Sequence, residues 1–202
     1  MTTLRDTAGR RLRPAGMRIA LFACAALLLA ACSTQTKTPA HDPVDRSGRL
    51  VVPQAIHLDS GLSAERAGQE VHVAQLLYTF WNTGNADYLN QAITPSFRDN
   101  TLPPGRPQGP TGPAVASRGF RAAVPDLTCE LSDLYVTGDT LTARLVFRGR
   151  FTGSYNGVQG TGQPIEFNAI DLQHLGGDHS LITEDWHIED NLTFLHQIGQ
   201  TS

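Results

Sequence analysis

The sequence is short of cysteine, of charge and of long apolar runs, and each shortage narrows the kind of protein. Of three cysteines in 202 residues, Cys24 and Cys32 lie close to the N-terminus, so Cys129 has no partner for a disulfide in the rest of the chain. We expect it to be a buried structural thiol. Charged residues make up 17% and the net charge is −3, which argues against a nucleic-acid-binding protein. With 40% hydrophobic residues, the composition is that of an ordinary globular domain.

The longest apolar run, Ile19–Ala31, is too short to span a membrane comfortably, which takes about 20 apolar residues. It follows a region with five arginines and ends in Leu29–Cys32, LAAC, which resembles a bacterial lipobox. This order predicts a lipoprotein signal peptide over residues 1–32, with Cys32 as the lipid-modified residue. Met17 is an alternative start. An uncleaved anchor helix is the alternative for the segment, and both interpretations place the domain in the cell envelope, facing the periplasm or the exterior.

Residues 33–60 are rich in Thr, Pro, Ser and Asp and lack apolar periodicity, which predicts a flexible tether. Val51, Val52 and Ile56 are candidates for a short edge strand within it. The folded domain is then expected over residues 61–202. Setting aside five Arg and one Asp of the first 32 residues leaves 11 basic and 18 acidic residues, a formal charge of −7.

Three helices are predicted in the first half of the domain, over Leu62–Asn82, Ala86–Ile93 and Ala114–Ala123. The first has apolar residues at helical spacing and Ser60 as a candidate N-cap. The loop Thr101–Pro113 holds five Pro and three Gly in thirteen residues, which precludes a regular element. It is either a lid over a pocket or a long surface connection.

From Leu127 the apolar period changes from 3.6 to 2, which predicts four strands over Leu127–Val136, Thr140–Phe151, Gln163–Leu175 and Leu181–Asp190. Helices followed by an antiparallel meander make an α+β domain. Helices on one face of a curved four-stranded sheet leave a cone with an open mouth, which is a natural ligand pocket.

The last strand carries the densest set of ionisable groups. Alternation places Asp185, His187 and Glu189 on one face and Glu184 and Trp186 on the other. On the preceding strand, one face carries Ile165, Phe167 and Ala169 followed by Asp171. A lone acid on an apolar face and a nearby histidine, whose ordinary pKa of about 6.5 suits proton transfer, suggest acid/base chemistry. The alternatives are a solvated strand face, an Asp171 held by an arginine or a backbone donor, and a structurally bonded His187.

Several residues are candidates for contacts with a ligand. Tyr78, Trp81 and Phe97 could line a pocket for a hydrophobic compound, although aromatic residues at helical spacing are commonly core. Asp99 and Asn100 follow the second helix and could cap a turn. The seven histidines show no familiar ligand spacing, so no metal site is predicted.

Four segments, in order and in spacing, resemble the SnoaL-like polyketide cyclase family, also known as ester cyclases, of the nuclear transport factor two-like superfamily. They are FWNTGNADYLNQAITPSF (Phe80–Phe97), RAAVPDL (Arg121–Leu127), VTGDTLTARLVFRGRFTG (Val136–Gly153) and EDWHIEDNLTFLHQIG (Glu184–Gly199). The resemblance covers about Val71–Gly199. It implies a cone-shaped fold with about three N-terminal helices on a curved, mainly antiparallel sheet. Relatives with this fold often pair through the open sheet face, so a homodimer is a further expectation.

The resemblance also implies a chemistry: an intramolecular aldol ring closure without metal or cofactor. In the family an Asp on the last strand moves the proton and a His on the preceding strand assists. Here His187 falls at the Asp position and Asp171 at the His position; a shift of two residues would instead bring Asp185 to the acid/base position. Many members have Gly-Thr-His at the end of the second strand, where this chain has Gly149-Arg150-Phe151. The resemblance thus implies a small hydrophobic ligand, catalytic roles for His187, Asp171 and Asp185, and a substrate-binding set. That set is Trp81, Phe97, Asp99, Asn100, Glu184 and Trp186.

Overall fold

A computed structural model describes residues 42–200 of the chain. The predicted signal peptide and Cys32 lie outside the described residues. The helices are α1 (Ala64–Thr83), α2 (Ala86–Ala92), α3 (Thr111–Ala123) and α4 (Asn191–Gln197). The strands are β1 (Ala55–Leu58), β2 (Ile93–Asp99), β3 (Thr128–Thr137), β4 (Thr140–Phe151), β5 (Ser154–Tyr155), β6 (Val158–Gln159), β7 (Gln163–Leu175) and β8 (Ile182–Glu189). Within this part of the chain no helix is long and apolar enough to cross a membrane.

The expected α+β architecture is confirmed, with one curved, mainly antiparallel sheet. Besides the four predicted strands, the sheet contains β1, which includes Ile56 of the candidate edge strand but not Val51 or Val52, and β2, which was not predicted. Its order is β1-β3-β4-β7-β8-β2, and a separate hairpin pairs β5 with β6. The four predicted strands form the antiparallel centre, whereas β1 and β2 pair in parallel with β3 and β8 at the two edges. The prediction missed β2 because the segment contains Pro95 and few apolar residues, which favoured a loop.

Helix α1 begins where Ser63, not the predicted Ser60, caps it by accepting a hydrogen bond from the backbone N–H of Arg66. Such a cap stabilises a helix by about 1 kcal/mol. The helix ends at Gly84, whose φ of 75° is in the left-handed region that glycine tolerates without strain, and whose N–H donates to the carbonyl of Phe80. Its inner side is buried on the sheet, which brings Tyr78 and Trp81 towards the concave face.

Residues 42–58 differ from the predicted tether because they pack on the domain. The backbone N–H of Asp45 donates to Gln75 Oε1 at 2.9 Å, and that of Val51 donates to Thr79 Oγ1 at 2.8 Å. Gln75 and Thr79 are buried polar residues of α1, so these bonds satisfy groups that would otherwise be unpaired. The segment therefore belongs to the folded unit.

The core lies between α1, α3 and the concave face of the sheet. Cys129 is buried there as a free thiol, as predicted, and burial raises the pKa of its thiol well above the usual range. Towards one end of the sheet the packing consists of aromatic rings: Phe147 and Phe167 stack at 5.1 Å between centroids, and Phe120 lies 6.0 Å from Phe167. These rings form one wall of the pocket described next.

Candidate active site

A pocket opens between the concave sheet face, helices α1 and α3, and the loop that joins β2 to α3. It encloses about 560 Å³, a volume that includes the part open to solvent. One side of the pocket is apolar and the other carries ionisable groups. Its lining residues are Trp81, Asp99, Arg106, Pro113, Phe120, Leu127, Leu145, Phe147, Phe167, Ala169, Asp171, Asp185, His187 and Glu189.

The ionisable side follows from strand register. In the antiparallel pair of β7 and β8, Asp171 lies opposite His187 and Ala169 lies opposite Glu189. In the parallel pair of β2 and β8, Asp99 lies beside Asp185. Because alternate residues of a strand share a face, these pairings bring the acids and the histidine to one place.

His187 is held between two carboxylates. Its Nδ1 lies 2.8 Å from Glu189 Oε1 and its Nε2 lies 3.1 Å from Asp99 Oδ2, while its backbone N–H donates to Thr101 Oγ1 at 2.9 Å. Burial alone would lower the pKa of this imidazole, but the hydrogen bond and charge of Glu189, the charge of Asp185 and the hydrogen bond to Asp99 outweigh it and raise the pKa to about 9. His187 is therefore an imidazolium at neutral pH, and both ring N–H groups are engaged.

Asp171 is the acid on the apolar floor of the pocket and is only 6% exposed. Tyr78, itself fully buried, donates its hydroxyl to Asp171 Oδ2 at 3.2 Å. Burial raises the pKa of Asp171 to about 7, even though the positive charge of His187 and the bond from Tyr78 act in the opposite direction. At neutral pH this carboxyl therefore exists in both protonation states.

Asp185 and Glu189 respond to the same surroundings in opposite ways. The Asp185 Oδ1 atom is buried and has no hydrogen-bond partner within residues 42–200. Burial, followed by the charge of Asp171, raises the pKa of Asp185 well above its usual range. Burial also acts to raise the pKa of Glu189, but its bond to His187 lowers it overall. The site thus combines two buried acids whose pKa is raised, Asp171 and Asp185, with one acid whose pKa is lowered, Glu189.

The structure brings some of the predicted site residues together and separates others. Asp171, Asp185, His187, Asp99 and Trp81 line the pocket. Phe97 is buried in the core and does not line it. Three further residues lie away from the lining: Asn100 donates to Glu184 at 2.8 Å, and Trp186 packs on His174 with ring centroids 4.9 Å apart.

Sequence reasoning did not select the residues that complete the site. Glu189 had a signal, since it shares the alternating face of Asp185 and His187. The rings of Phe147 and Phe167 had the same kind of signal, because both lie on inward faces of predicted strands. Nothing in the sequence indicated Arg106, because it lies in the Pro- and Gly-rich loop, where no periodicity predicts the direction of a side chain.

In residues 42–200, no three His, Cys, Asp or Glu side chains are arranged to hold a metal ion. Independence from metal and cofactor therefore stays a prediction from the sequence. The chemistry available to the residues present is proton transfer and charge stabilisation.

The fold and the site define a class: an α+β domain whose helices close an acid/base pocket over a curved sheet. The sequence model of the SnoaL-like polyketide cyclases matches residues 71–198. The chain belongs to the SnoaL-like polyketide cyclase family.

Solved structures agree with this assignment. A proposed polyketide cyclase from Bacillus cereus ATCC 10987 is 42% identical, with a TM-score of 0.68 over 76% of this chain and 95% of its own. TsrD from Streptomyces laurentii is 26% identical, with a TM-score of 0.59 over 69% of this chain and 99% of its own. IdmH from Streptomyces antibioticus, also a proposed polyketide cyclase, is 29% identical, with a TM-score of 0.58 over 65% of this chain and 99% of its own. No functionally curated protein sequence matches the chain.

Proposed function

We propose that this protein is a cofactor-independent acid/base enzyme that cyclises or isomerises a small hydrophobic carbonyl compound, with Asp171 as the group that moves the proton. The observation that carries the proposal is the placement of Asp171. Its carboxyl lies on the floor of an apolar pocket, holds one hydrogen bond from Tyr78, and lies opposite a fixed imidazolium. The relatives proposed as polyketide cyclases support ring closure as the reaction.

Asp171 fits the role of the base. A carboxylate is usually too weak a base at neutral pH, but a group whose pKa lies close to the working pH combines availability with driving force. Asp171, with a pKa of about 7, would remove a proton from the carbon next to the substrate carbonyl and become neutral itself. The electron pair of the broken C–H bond would move onto the carbonyl oxygen as an enolate.

Asp185 fits the role of the acid. Burial and the charge of Asp171 favour its protonated form, and it lies on the same face as Asp171, two residue pairs further along the strands. In an aldol closure the enolate carbon attacks a second carbonyl, whose oxygen becomes an alkoxide. Asp185 would give its proton to that oxygen, after which Asp171 returns its proton to solvent and Asp185 regains one.

His187 supports this chemistry by its charge rather than by transferring a proton. Both of its ring nitrogens are occupied by Asp99 and Glu189, so it has no free N–H for a substrate. As an imidazolium in a poorly solvated site it favours the anionic form of Asp171 and the developing enolate. We therefore revise the sequence-based role of His187 from proton carrier to electrostatic and positioning residue.

The test follows the proton and requires no knowledge of the natural reaction. Wild-type protein is incubated in D₂O with aryl ketones that carry an acidic C–H bond, and incorporation of deuterium is followed by NMR. We expect exchange to be catalysed by the wild type and to fall at least about a hundredfold in Asp171→Asn, consistent with the usual contribution of a positioned base. Asp126→Asn, which changes an exposed carboxyl away from the pocket, is the matched control.

Binding without exchange would contradict the enzyme proposal. If the ketones bind in the pocket but wild type and Asp171→Asn exchange deuterium equally, the pocket is a binding site only. The domain would then be a non-catalytic binder of small hydrophobic molecules, which is the second function that this pocket allows.

We further propose that the protein is a lipid-anchored component of the bacterial cell envelope. The support is the sequence of residues 1–32: arginines, then an apolar run, then LAAC. Cys32→Ser should move the protein from the membrane fraction to the soluble fraction. An unchanged distribution would overturn lipid attachment at this residue, and Cys24→Ser is the control for a general effect on the leader.

A further inference from the structure

The loop between β2 and α3 contributes one charged residue to the pocket, Arg106, which is half-buried there. In the described part of the chain, no hydrogen bond or salt bridge joins its guanidinium to another residue. Its charge does reach the pocket interior, because it acts to lower the pKa of Glu189. Arg106 is therefore a cation facing the pocket whose guanidinium has no hydrogen bond or salt bridge to another described residue, and which acts on Glu189 only through its charge.

This state differs from that of the other half-buried arginines in residues 42–200. Arg66 donates to Glu70 at 2.6 Å, Arg121 donates to the carbonyl of Trp81 at 2.7 Å, and Arg148 bonds two glutamates at 2.8 Å each. A guanidinium has five N–H donors, and removing them from water without a partner is unfavourable. The domain thus pairs every described half-buried arginine except the one that lines the pocket.

The position of Arg106 is fixed by its loop. Asp99 and Gln108 exchange two hydrogen bonds of 2.8 Å each, from the Asp99 N–H to Gln108 Oε1 and from Gln108 Nε2 to the Asp99 carbonyl. At the start of α3, a Cβ atom on Gly112 would lie 2.6 Å from the Pro107 carbonyl oxygen, so glycine permits the close packing of the loop on the helix. These contacts hold the segment that carries Arg106 over the pocket mouth.

The acids that line the pocket do not form a hydrogen bond or salt bridge with Arg106. Asp99 and Glu189 are both bonded to His187, and burial raises the pKa of Asp185 and so disfavours its charged form. A guanidinium in this position matches a carboxylate, to which it donates two parallel hydrogen bonds. The apolar wall of Phe147 and Phe167 matches a flat hydrophobic body, and Asp171 lies on the floor.

We infer that the substrate is an aryl or similarly flat keto acid whose carboxylate is bound by Arg106, which makes Arg106 the residue that selects the substrate class. This inference rests on the proposed function for the identity of the reacting carbonyl. It adds an ionised group to a substrate that the sequence describes only as hydrophobic. It also gives the loop a role in substrate binding. Of the two alternatives, lid and surface connection, this role favours the lid.

The test measures binding and needs no turnover. Benzoylpropionate, a phenyl ketone with a carboxylate, and its methyl ester are titrated into wild type, Arg106→Gln and Arg118→Gln by calorimetry. Arg118 lies on α3, is exposed and does not line the pocket, so its variant is the matched control. We expect wild type to bind the acid more tightly than the ester, and Arg106→Gln to weaken the acid about 10- to 100-fold while leaving the ester within about threefold.

Three results would overturn the inference: wild type binds neither compound, wild type binds the ester as tightly as the acid, or Arg106→Gln binds the acid as tightly as wild type. None of them decides the proposed function. Deuterium exchange that depends on Asp171 is compatible with each of the three results. Conversely, a protein without such exchange could still bind the acid more tightly than the ester.

Discussion

Replacing Asp171 by Asn should make the folded protein more stable, and increasingly so as pH rises. The pKa of Asp171 is raised from 3.8 to about 7, chiefly by burial. Because the folded state holds this proton more tightly than the unfolded chain, stability falls as pH rises from about 4 to about 7. Above pH 7 the folded protein holds a buried carboxylate at a cost that the unfolded chain does not have.

The size of the effect follows from the two pKa values. Each tenfold change in proton affinity corresponds to about 1.4 kcal/mol, so the change to about 7 corresponds to about 4 kcal/mol at pH 8 and to less than about 1 kcal/mol at pH 4. Asn has the same shape, carries no charge and can still accept the hydrogen bond from Tyr78. Asp171→Asn should therefore gain about 2 to 4 kcal/mol at pH 8, with little change at pH 4.

The measurement is urea unfolding followed by tryptophan fluorescence or circular dichroism, at pH 4, 6 and 8. Glu65→Gln is the control, because it changes an exposed carboxyl on the first turn of α1. If Asp171→Asn is less stable than wild type at pH 8, or if the difference does not grow with pH, the carboxyl does not titrate as described. The acid/base role would then lose its electrostatic basis.

Two other substitutions test the partners of Asp171. His187→Ala leaves Asp99 and Glu189 without the cation that lies between them. Since the pKa of His187 is raised from 6.5 to about 9, the free energy of unfolding of the wild type should exceed that of the variant by about 3 kcal/mol near pH 6. In urea unfolding this difference should disappear as pH rises through 9. A difference that is constant between pH 6 and 10 would contradict the imidazolium. Tyr78→Phe removes the bond that lowers the pKa of Asp171, so the acidic limb of the pH profile of deuterium exchange should move to higher pH. Tyr88→Phe, at a half-buried tyrosine, is the control. If the pH profile of Tyr78→Phe does not move, the hydroxyl of Tyr78 does not affect the pKa of Asp171.

Periodicity was sufficient to predict the central part of the fold. The alternation in β4 and β7 and the helical stripe of α1 record burial directly, because each side chain faces either the core or solvent. Of the two edge strands, β1 was anticipated only through Ile56 and β2 was not predicted at all. They are short and pair in parallel with strands far along the chain, so neither local alternation nor a hairpin turn indicates them.

The same limit applies to the site. The face shared by Asp185 and His187 could be predicted from alternation, and so could the inward direction of Asp171. The partnership of His187 with Asp99 could not, because it joins residues 88 positions apart through the parallel pairing of β2 with β8. Arg106 was out of reach for a related reason, since the direction of a loop side chain depends on contacts such as that between Asp99 and Gln108.

The exchanged positions of Asp and His have a physical consequence. The family resemblance implies an Asp on the last strand and a His on the preceding one, whereas this chain has His187 on β8 and Asp171 on β7, directly opposite each other. Exchange across one strand pair changes the neighbours of each group. On β8 the histidine meets Asp99 and Glu189 and becomes a permanent cation at neutral pH, whereas on β7 the aspartate meets apolar residues and Tyr78. The titrating member of the pair is thus the aspartate, which is why the proposed function assigns the proton transfer to Asp171 and not to His187.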